Sequence, residues 1–265
     1  MSNIIIVTGA AGGIGREFIR QLYNERGIDE IWAVGRTESK LAKLKEDFGD
    51  KIVPVVCDVC SDESLAKFEA LLKEKNPRIR WLINCAGTRA LYKKGADLPR
   101  LLATVRTNLV GNMATCYASI PYMGKGDHIL NVSSAASFQP LPSNNSYAAA
   151  KVGLRFFSKG LEYELKKKGI KVTCSCPGWV ATELMEFKDG EITPIEKLPG
   201  VTTAENVARK SIRDARKGKS LCFPTFKVHA NYYMVKFSPM AGVMWYAQHI
   251  ETDHYKDFIK ADILT

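Results

Sequence analysis

Tyr147 and Lys151 stand four residues apart in the run Asn-Ser-Tyr-Ala-Ala-Ala-Lys, and Ser134 lies thirteen residues before the tyrosine, at the end of Asn-Val-Ser-Ser. On a helix that spacing puts the phenol and the ammonium on one face, one above the other. A free tyrosine titrates near ~10, too high for acid–base work at neutral pH. One cation about 4 Å away, at an effective dielectric of about 20, is worth roughly 4 kcal/mol to a phenolate. A hydroxyl such as that of Ser134 can hold a carbonyl or alcohol oxygen against the phenol. The chemistry in view is proton transfer to or from an oxygen on carbon.

An isolated Tyr-x-x-x-Lys pair is common on protein surfaces, and its meaning depends on its company. Residues 4–15 read Ile-Ile-Ile-Val-Thr-Gly-Ala-Ala-Gly-Gly-Ile-Gly. Ile4 to Val7 is a short continuous apolar run, as expected of a strand buried on both faces. Gly9, Gly13 and Gly15 follow, then Phe18, Ile19, Leu22 and Tyr23 at helical spacing in Arg16 to Glu25. Strand, glycine turn and helix is the setting in which backbone N–H groups approach a pyrophosphate at a helix N-terminus. The spacing Gly-x-x-x-Gly-x-Gly differs from the usual Gly-x-Gly-x-x-Gly dinucleotide fingerprint.

With these motifs the sequence resembles the short-chain dehydrogenases/reductases, from residue 3 to about residue 222. The family's glycine turn matches Thr8, Gly9, Gly13 and Gly15, with Ile14 inside it. Its Asn-Asn-Ala-Gly motif stands as Asn84-Cys85-Ala86-Gly87, with cysteine for the second asparagine. Its catalytic asparagine, serine, tyrosine and lysine match Asn108, Ser134, Tyr147 and Lys151. Its Pro-Gly-x-Val-x-Thr motif stands at Pro177, Gly178, Val180 and Thr182. The resemblance implies hydride transfer between a nicotinamide cofactor and a ketone or secondary alcohol. Tyr147 is then the acid or base, Ser134 orients the substrate oxygen, and Lys151 supports the phenol and binds the nicotinamide ribose. Asn108 holds a water that relays protons through Lys151. Asp58 and Val59 match the family's pair beside the adenine. Asn84, Ala86 and Gly87 border the adenosine and ribose, and Val180 and Thr182 the carboxamide.

The end of the second strand bears on the choice of cofactor. NAD sites usually carry an acid there, which binds the ribose hydroxyls and repels a 2′-phosphate. Here Gly35, Arg36 and Thr37 occupy the place. A guanidinium grips a phosphate with two hydrogen bonds. NADP(H) is the expected cofactor; the bland reading is that Arg36 only solvates a strand end.

The substrate is expected beneath two segments that fit no general motif. Residues 183–201 form the family's lid, with Leu184, Met185 and Phe187 giving it an apolar face. Phe138, Leu141 and Pro142 lie before the tyrosine. Residues 223–265 make an aromatic-rich extension that the fold does not require. It suits subunit packing, since aromatic residues and Met are enriched at interfaces. It also suits an apolar wall for a bulky substrate, or contact with a membrane surface. A hydrophobic carbonyl or alcohol is expected, of steroid, bile-acid or lipid type, in a homodimer or homotetramer. The different class of function is a cofactor-binding regulator without turnover, against which the full catalytic set argues.

Composition narrows the field. The chain has 265 residues and a net charge of +10. The first strand is expected to begin by residue 3, so a cleavable leader is not expected, and no apolar run approaches the ~18 residues of a membrane span. A soluble, cytoplasmic protein is the expectation, with its seven cysteines reduced. Cys57 and Cys60 form a Cys-x-x-Cys without a second pair at zinc spacing, and the four histidines do not cluster, so no metal is expected. The sequons at Asn131 and Asn144 are then unused. The basic runs at Lys166–Lys168 and Arg209–Lys219 sit near helix ends, where the dipole favours cations. They lack interleaved aromatics, and nucleic-acid binding is not expected.

The elements that must position these residues alternate along the chain. Strands are expected at 4–7, 31–34, 52–56, 81–83, 129–132, 172–176 and 221–223. Helices are expected from Thr37 to Phe48, after Ser61, over 100–122, from the tyrosine run to Lys168 with a stop at Gly169, and after a capping box at Thr202 and Glu205. Alternation implies a single three-layer α/β domain, a Rossmann-like doubly wound parallel sheet of about seven strands. The cofactor is expected across the carboxyl ends of the strands. Residues 1–182 would form the cofactor-binding and catalytic core.

Overall fold

The N-terminal apolar run is a strand, β1 (Asn3–Thr8), held inside a seven-stranded parallel sheet. A computed structural model describes residues 1–89, 98–141, 144–182 and 200–249, with side chains through residue 244. Along the chain, β1 is followed by α1 (Gly13–Leu22), β2 (Glu30–Gly35), α2 (Glu38–Phe48), β3 (Ile52–Val56), α3 (Asp62–Lys75) and β4 (Arg78–Asn84). Next come α4 (Leu98–Val105), a π-helical turn (Arg106–Gly111), α5 (Asn112–Ser119), β5 (His128–Val132), α6 (Asn145–Leu165) and β6 (Lys171–Ser175). The rest comprises β7 (Val180–Ala181), β8 (Thr202–Thr203), α7 (Ala204–Arg216), β9 (Leu221–Cys222), α8 (Phe226–Phe237) and α9 (Met240–His249). The sheet order is β3-β2-β1-β4-β5-β6-β9, and β7 and β8 pair as a separate parallel ribbon.

Why this sheet is buried on both faces can be read along β1. Side chains alternate across a strand. Ile5 and Val7 join Phe18, Ile19 and Leu22 of α1, Leu41 and Leu44 of α2, and Ile212 and Ala215 of α7. Ile4 and Ile6 join Phe68 and Leu72 of α3, Cys116 of α5, and Leu161 and Leu165 of α6. Each fully buried Ile, Leu or Phe contributes about 1.5–3 kcal/mol. The three-layer architecture expected from the alternation is therefore present.

The order places β1 beside β4, the point where connections leave the sheet in opposite directions. A crevice opens there, outside the carboxyl ends of the strands. At one rim, among the described residues, β3 pairs only with β2, with Pro54 opposite Ala33. Cys57 donates its N–H to Gly35, so by alternation the nitrogen of Pro54 faces away from β2.

Several boundaries differ from those expected. The first helix starts at Gly13, in the glycine turn itself, and ends at Leu22. The single helix expected over 100–122 is α4 and α5 joined through the π turn and closed by a 3-10 turn at Ile120–Tyr122. The capping box shifts by one residue. Thr202 is drawn into β8, its N–H bonded to Trp179, and Thr203 becomes the cap, its hydroxyl accepting from Asn206 N–H at 3.1 Å. Ser61 caps α3 as expected, accepting from Ser64 N–H at 3.3 Å. Gly169 ends α6 and its 3-10 extension at φ +69°, a conformation only glycine adopts without cost.

Candidate active site

The glycine turn is built by close approach. Thr8 closes β1, and its hydroxyl accepts from the N–H groups of Cys85 and Ala86 at 3.2 and 3.1 Å, which ties the end of β1 to the end of β4. At Gly9, φ is +63°, and a Cβ there would lie 2.8 Å from the backbone of Ala86. Gly15 sits so close to the carbonyl of Gly9 that no side chain fits. A Cβ on Gly13 would meet the Thr182 methyl at 2.8 Å. The cap position of α1 is Gly12, with no side-chain hydrogen bond. The first N–H groups of α1 therefore keep their capacity for an anion, with the helix dipole behind them. Ile14 is half-buried and packs on the α1 face of the core.

Beside this turn, β2 ends at Gly35, and Arg36 and Thr37 are exposed. Thr37 holds the cap position of α2 without a side-chain bond. The carboxylate of Asp58 accepts from Cys60 N–H at 2.9 Å, fixing the turn after β3, and buried Val59 backs it. The carbonyl of Val59 lies against Gly111, so the π turn packs directly on this loop. Asn84 is wholly buried. Its amide donates to Asn131 Oδ1 at 2.9 Å and accepts from Thr115 Oγ1 at 2.8 Å. Its side chain thus braces β4 against β5 and α5 from beneath, and the backbone of Ala86 and Gly87 borders the crevice.

The tyrosine run forms the first two turns of α6. Tyr147 is half-buried, and Lys151, one turn on, is 4 % exposed. The Lys151 ammonium donates to the Val132 carbonyl at the end of β5, at 2.9 Å, and lies 5.6 Å from the centre of the Tyr147 ring. An ammonium has three donors, so the anchored lysine retains capacity toward the crevice. Ser134, just past β5, caps a short 3-10 turn by accepting from Ala136 N–H at 3.1 Å. Its neighbours fix it from both sides. Ser133 N–H donates to Ser175 and Ser133 Oγ to the Lys151 carbonyl, while Ala135 N–H donates to Pro177.

Asn108 belongs to the π turn and is fully buried. Its amide nitrogen donates to the carbonyls of Thr88 and Thr104 at 2.6 and 2.8 Å. Its amide oxygen is buried and, among the described residues, has no donor. A Cβ built on Gly87 would lie 2.9 Å from that oxygen and 3.7 Å from the Lys151 ammonium. The orphan acceptor and the buried cation therefore converge on Gly87. Single-turn π bulges recur at functional sites because they redirect a side chain out of helical register. Nothing in the sequence marks this one except Gly111, which the approach to Val59 requires.

On the far side, Pro177 is buried and Val180 lies in β7. Thr182 donates to the Val180 carbonyl at 3.4 Å. A Cβ on Gly178 would meet Val228 of α8 at 2.8 Å. Phe138 packs edge-on to Phe223 and Tyr232, with ring centres 5.9 and 5.1 Å apart, and Leu141 is half-buried nearby in sequence. Phe223 and Tyr232 were not singled out from the sequence; only the aromatic density of the tail hinted at them. Leu184, Met185, Phe187 and Pro142 lie outside the described residues.

Two cysteines beside this crevice are held as neutral thiols. Burial pushes Cys85 up to about 12 despite the pull of Lys151, and Cys57 up to about 11. Such thiols are inert at neutral pH. Among the described residues, no three His, Cys, Asp or Glu are grouped as a metal would need.

Comparison with known proteins gives this geometry a context. The short chain dehydrogenase family model matches residues 3–191. An uncharacterised short-chain type dehydrogenase/reductase of Sinorhizobium fredii is 33 % identical over 184 residues, covering 69 % of this chain and only 33 % of the relative. An uncharacterised oxidoreductase of Staphylococcus saprophyticus is 32 % identical over 189 residues, covering 68 % of this chain and 80 % of the relative. Among solved structures, the closed form of a serine dehydrogenase complexed with NADP+ superposes with a TM-score of 0.69 at 27 % identity, covering 78 % of this chain and 86 % of that one.

Proposed function

Because the chain belongs to the short-chain dehydrogenase/reductase family, whose members are oxidoreductases of C–OH and C=O groups, we propose that it interconverts a hydrophobic ketone and its secondary alcohol with NADP(H). The observation that carries this reading is the convergence of the Asn108 amide oxygen and the Lys151 ammonium at Gly87, one helical turn from Tyr147.

The residues present fit a dinucleotide. The uncapped start of α1, with Gly13 pressed on Thr182, would take the pyrophosphate. Arg36 and Thr37, exposed where an acid would exclude it, would take a 2′-phosphate. The solved serine dehydrogenase was in complex with NADP+, which supports this choice. Asp58 and Val59 would border the adenine, Ala86 and Gly87 the ribose, and Val180 and Thr182 the carboxamide. Bound there, a nicotinamide supplies or accepts hydride.

The chain's own part is positioning and proton transfer. Ser134 orients the substrate oxygen. Tyr147 gives that oxygen a proton in reduction and takes it back in oxidation. Lys151, locked to Val132, sets its ammonium group beside the phenol ring. The Asn108 amide oxygen would accept from a water, and that water would return a proton from solvent to the phenol by way of the Lys151 ammonium. Phe138, Phe223 and Tyr232 form an aromatic wall suited to a steroid, bile-acid or lipid-like substrate. Exposed Tyr117 on α5 and Phe156 and Tyr163 on α6 give two adjacent helices apolar outer surfaces, which suits a homo-oligomer.

The test is a turnover screen of steroid, bile-acid and long-chain ketones, with NADPH and NADH, followed by nicotinamide absorbance. NADPH-preferring turnover of an apolar ketone supports the reading. Tight NADPH binding without turnover across the panel would replace it with a cofactor-binding regulator.

A further inference from the structure

The two faces of α8 are both apolar, and among the described residues the fold packs only one of them. Val228 and Val235 point inward and are buried. On the opposite side, Phe226, Ala230, Tyr233 and Phe237 follow one another at spacings of four, three and four residues. With about 100° per residue, these four form one stripe. It is open to solvent: Phe226 is 84 % exposed, Tyr233 46 % and Phe237 76 %, and Met240 at the start of α9 is 51 % exposed. Two phenylalanines so bare, three turns apart on one helix, form a contiguous apolar surface of the kind that marks an interaction site. Such a stripe fits either a protein partner or lipid.

Charge indicates which. Lys227 and Lys236 lie about a quarter turn to either side of the stripe. No Asp or Glu occurs between Asp214 and Glu251, while Arg216, Lys217, Lys219, Lys227 and Lys236 fall in that interval. Aromatic and Met side chains flanked by lysines, without acids, suit a helix lying in the plane of an anionic bilayer. There the stems of the lysines lie along apolar surface and their ammonium groups reach the headgroups. A second copy of the same surface would oppose lysine to lysine.

We propose that α8 and the start of α9 dock on the surface of an anionic lipid bilayer. The inner side of the same helix reaches the candidate site: Tyr232 packs on Phe138, and Val228 on Gly178. One helix thus has its back to the lipid and its front to the aromatic wall. Resting on the function proposed above, the substrate is then a ketone or alcohol dissolved in the membrane, entering along α8.

The test is co-sedimentation of the full chain with phosphatidylcholine vesicles, with and without phosphatidylglycerol. Binding that requires phosphatidylglycerol and weakens with salt is expected. The double variant Phe226→Ser with Phe237→Ser should lose at least about tenfold in partition, because both bare rings leave the apolar stripe. Lys236→Glu, a change that leaves the stripe intact, should lose about fivefold or more. Circular dichroism and NADPH binding monitor the fold of each variant. Absence of the wild type from the vesicle pellet overturns the proposal, as does equal sedimentation of folded variants. A change in oligomer size in the Phe variants, without vesicle binding by the wild type, assigns the stripe to a contact between copies and also overturns it. Vesicle binding by a chain that turns over no ketone leaves the docking standing and sinks the proposed function instead.

Discussion

Asn108 and Lys151 meet over Gly87: the amide oxygen of one and the ammonium of the other lie 2.9 and 3.7 Å from the point where a Cβ would stand. They belong to different elements, a π turn and α6, and neither is near the other in sequence. A glycine between them keeps the space polar. Gly87→Ala places a methyl group against a buried, donorless oxygen, and turnover should fall at least about tenfold. The fold should survive, because the loop can give by a few tenths of an ångström. Steady-state NADPH oxidation beside circular dichroism checks both halves.

Tyr147→Phe removes the proton and leaves the ring that Lys151 faces. Turnover should drop below about a tenth of wild type. NADPH affinity should stay within about threefold, since the anchor of Lys151 to Val132 does not involve the phenol. Fluorescence titration of NADPH beside turnover separates the two. More than a tenth of the rate remaining would mean that another group supplies the proton.

Arg36→Glu reverses the charge at the end of β2. A charge-assisted hydrogen bond is worth about 1.5–3 kcal/mol. Preference for NADP(H) over NAD(H) should therefore fall by one to two orders of magnitude. The ratio of kcat/KM with the two cofactors measures it, and an unchanged ratio would assign Arg36 to strand-end solvation.

His128 should make stability depend on pH. It is 9 % exposed and stacks on Trp81, with ring centres 4.1 Å apart. Burial first, then the charges of Lys171, Arg216 and Arg80, push it from 6.5 down to about 4. Between those values the unfolded chain binds a proton that the folded chain refuses. Its contribution is therefore complete above about 6.5 and lost as the pH falls toward 4. The span corresponds to about 3 kcal/mol. Urea unfolding across this range should show that slope, and His128→Phe should flatten it.

The sheet and the glycine turn were legible because both are written in local pattern. Ile4 to Val7 is apolar throughout and too short for a helix, as suits a strand covered twice, and backbone approaches demand glycine at Gly9 and Gly15 while the Thr182 side chain crowds Gly13. Less was legible where partners distant in sequence decide the outcome. Thr202 has the capping pattern, yet its pairing with Val180 moves the cap to Thr203. The π turn arises from packing on Val59, which no periodicity announces. Asn84 sits in a cofactor motif, but its amide is committed to Asn131 and Thr115. The aromatic tail was read as interface, wall or membrane patch; α8 gives inner and outer aromatics different surroundings, a division visible only once the helix is docked.

Pro54 has a consequence for how copies of this chain can meet. The outermost strand of an open sheet is a template to which a stray segment can add, bond by bond. Here the outward nitrogen at the centre of that strand has no hydrogen to offer, and the opposite rim, β9, is two residues long. Among the described residues, neither margin presents a long unbroken row of donors to a further strand. Self-association through a continuous ladder is disfavoured, which shifts any pairing of copies toward side chains on the helical layers.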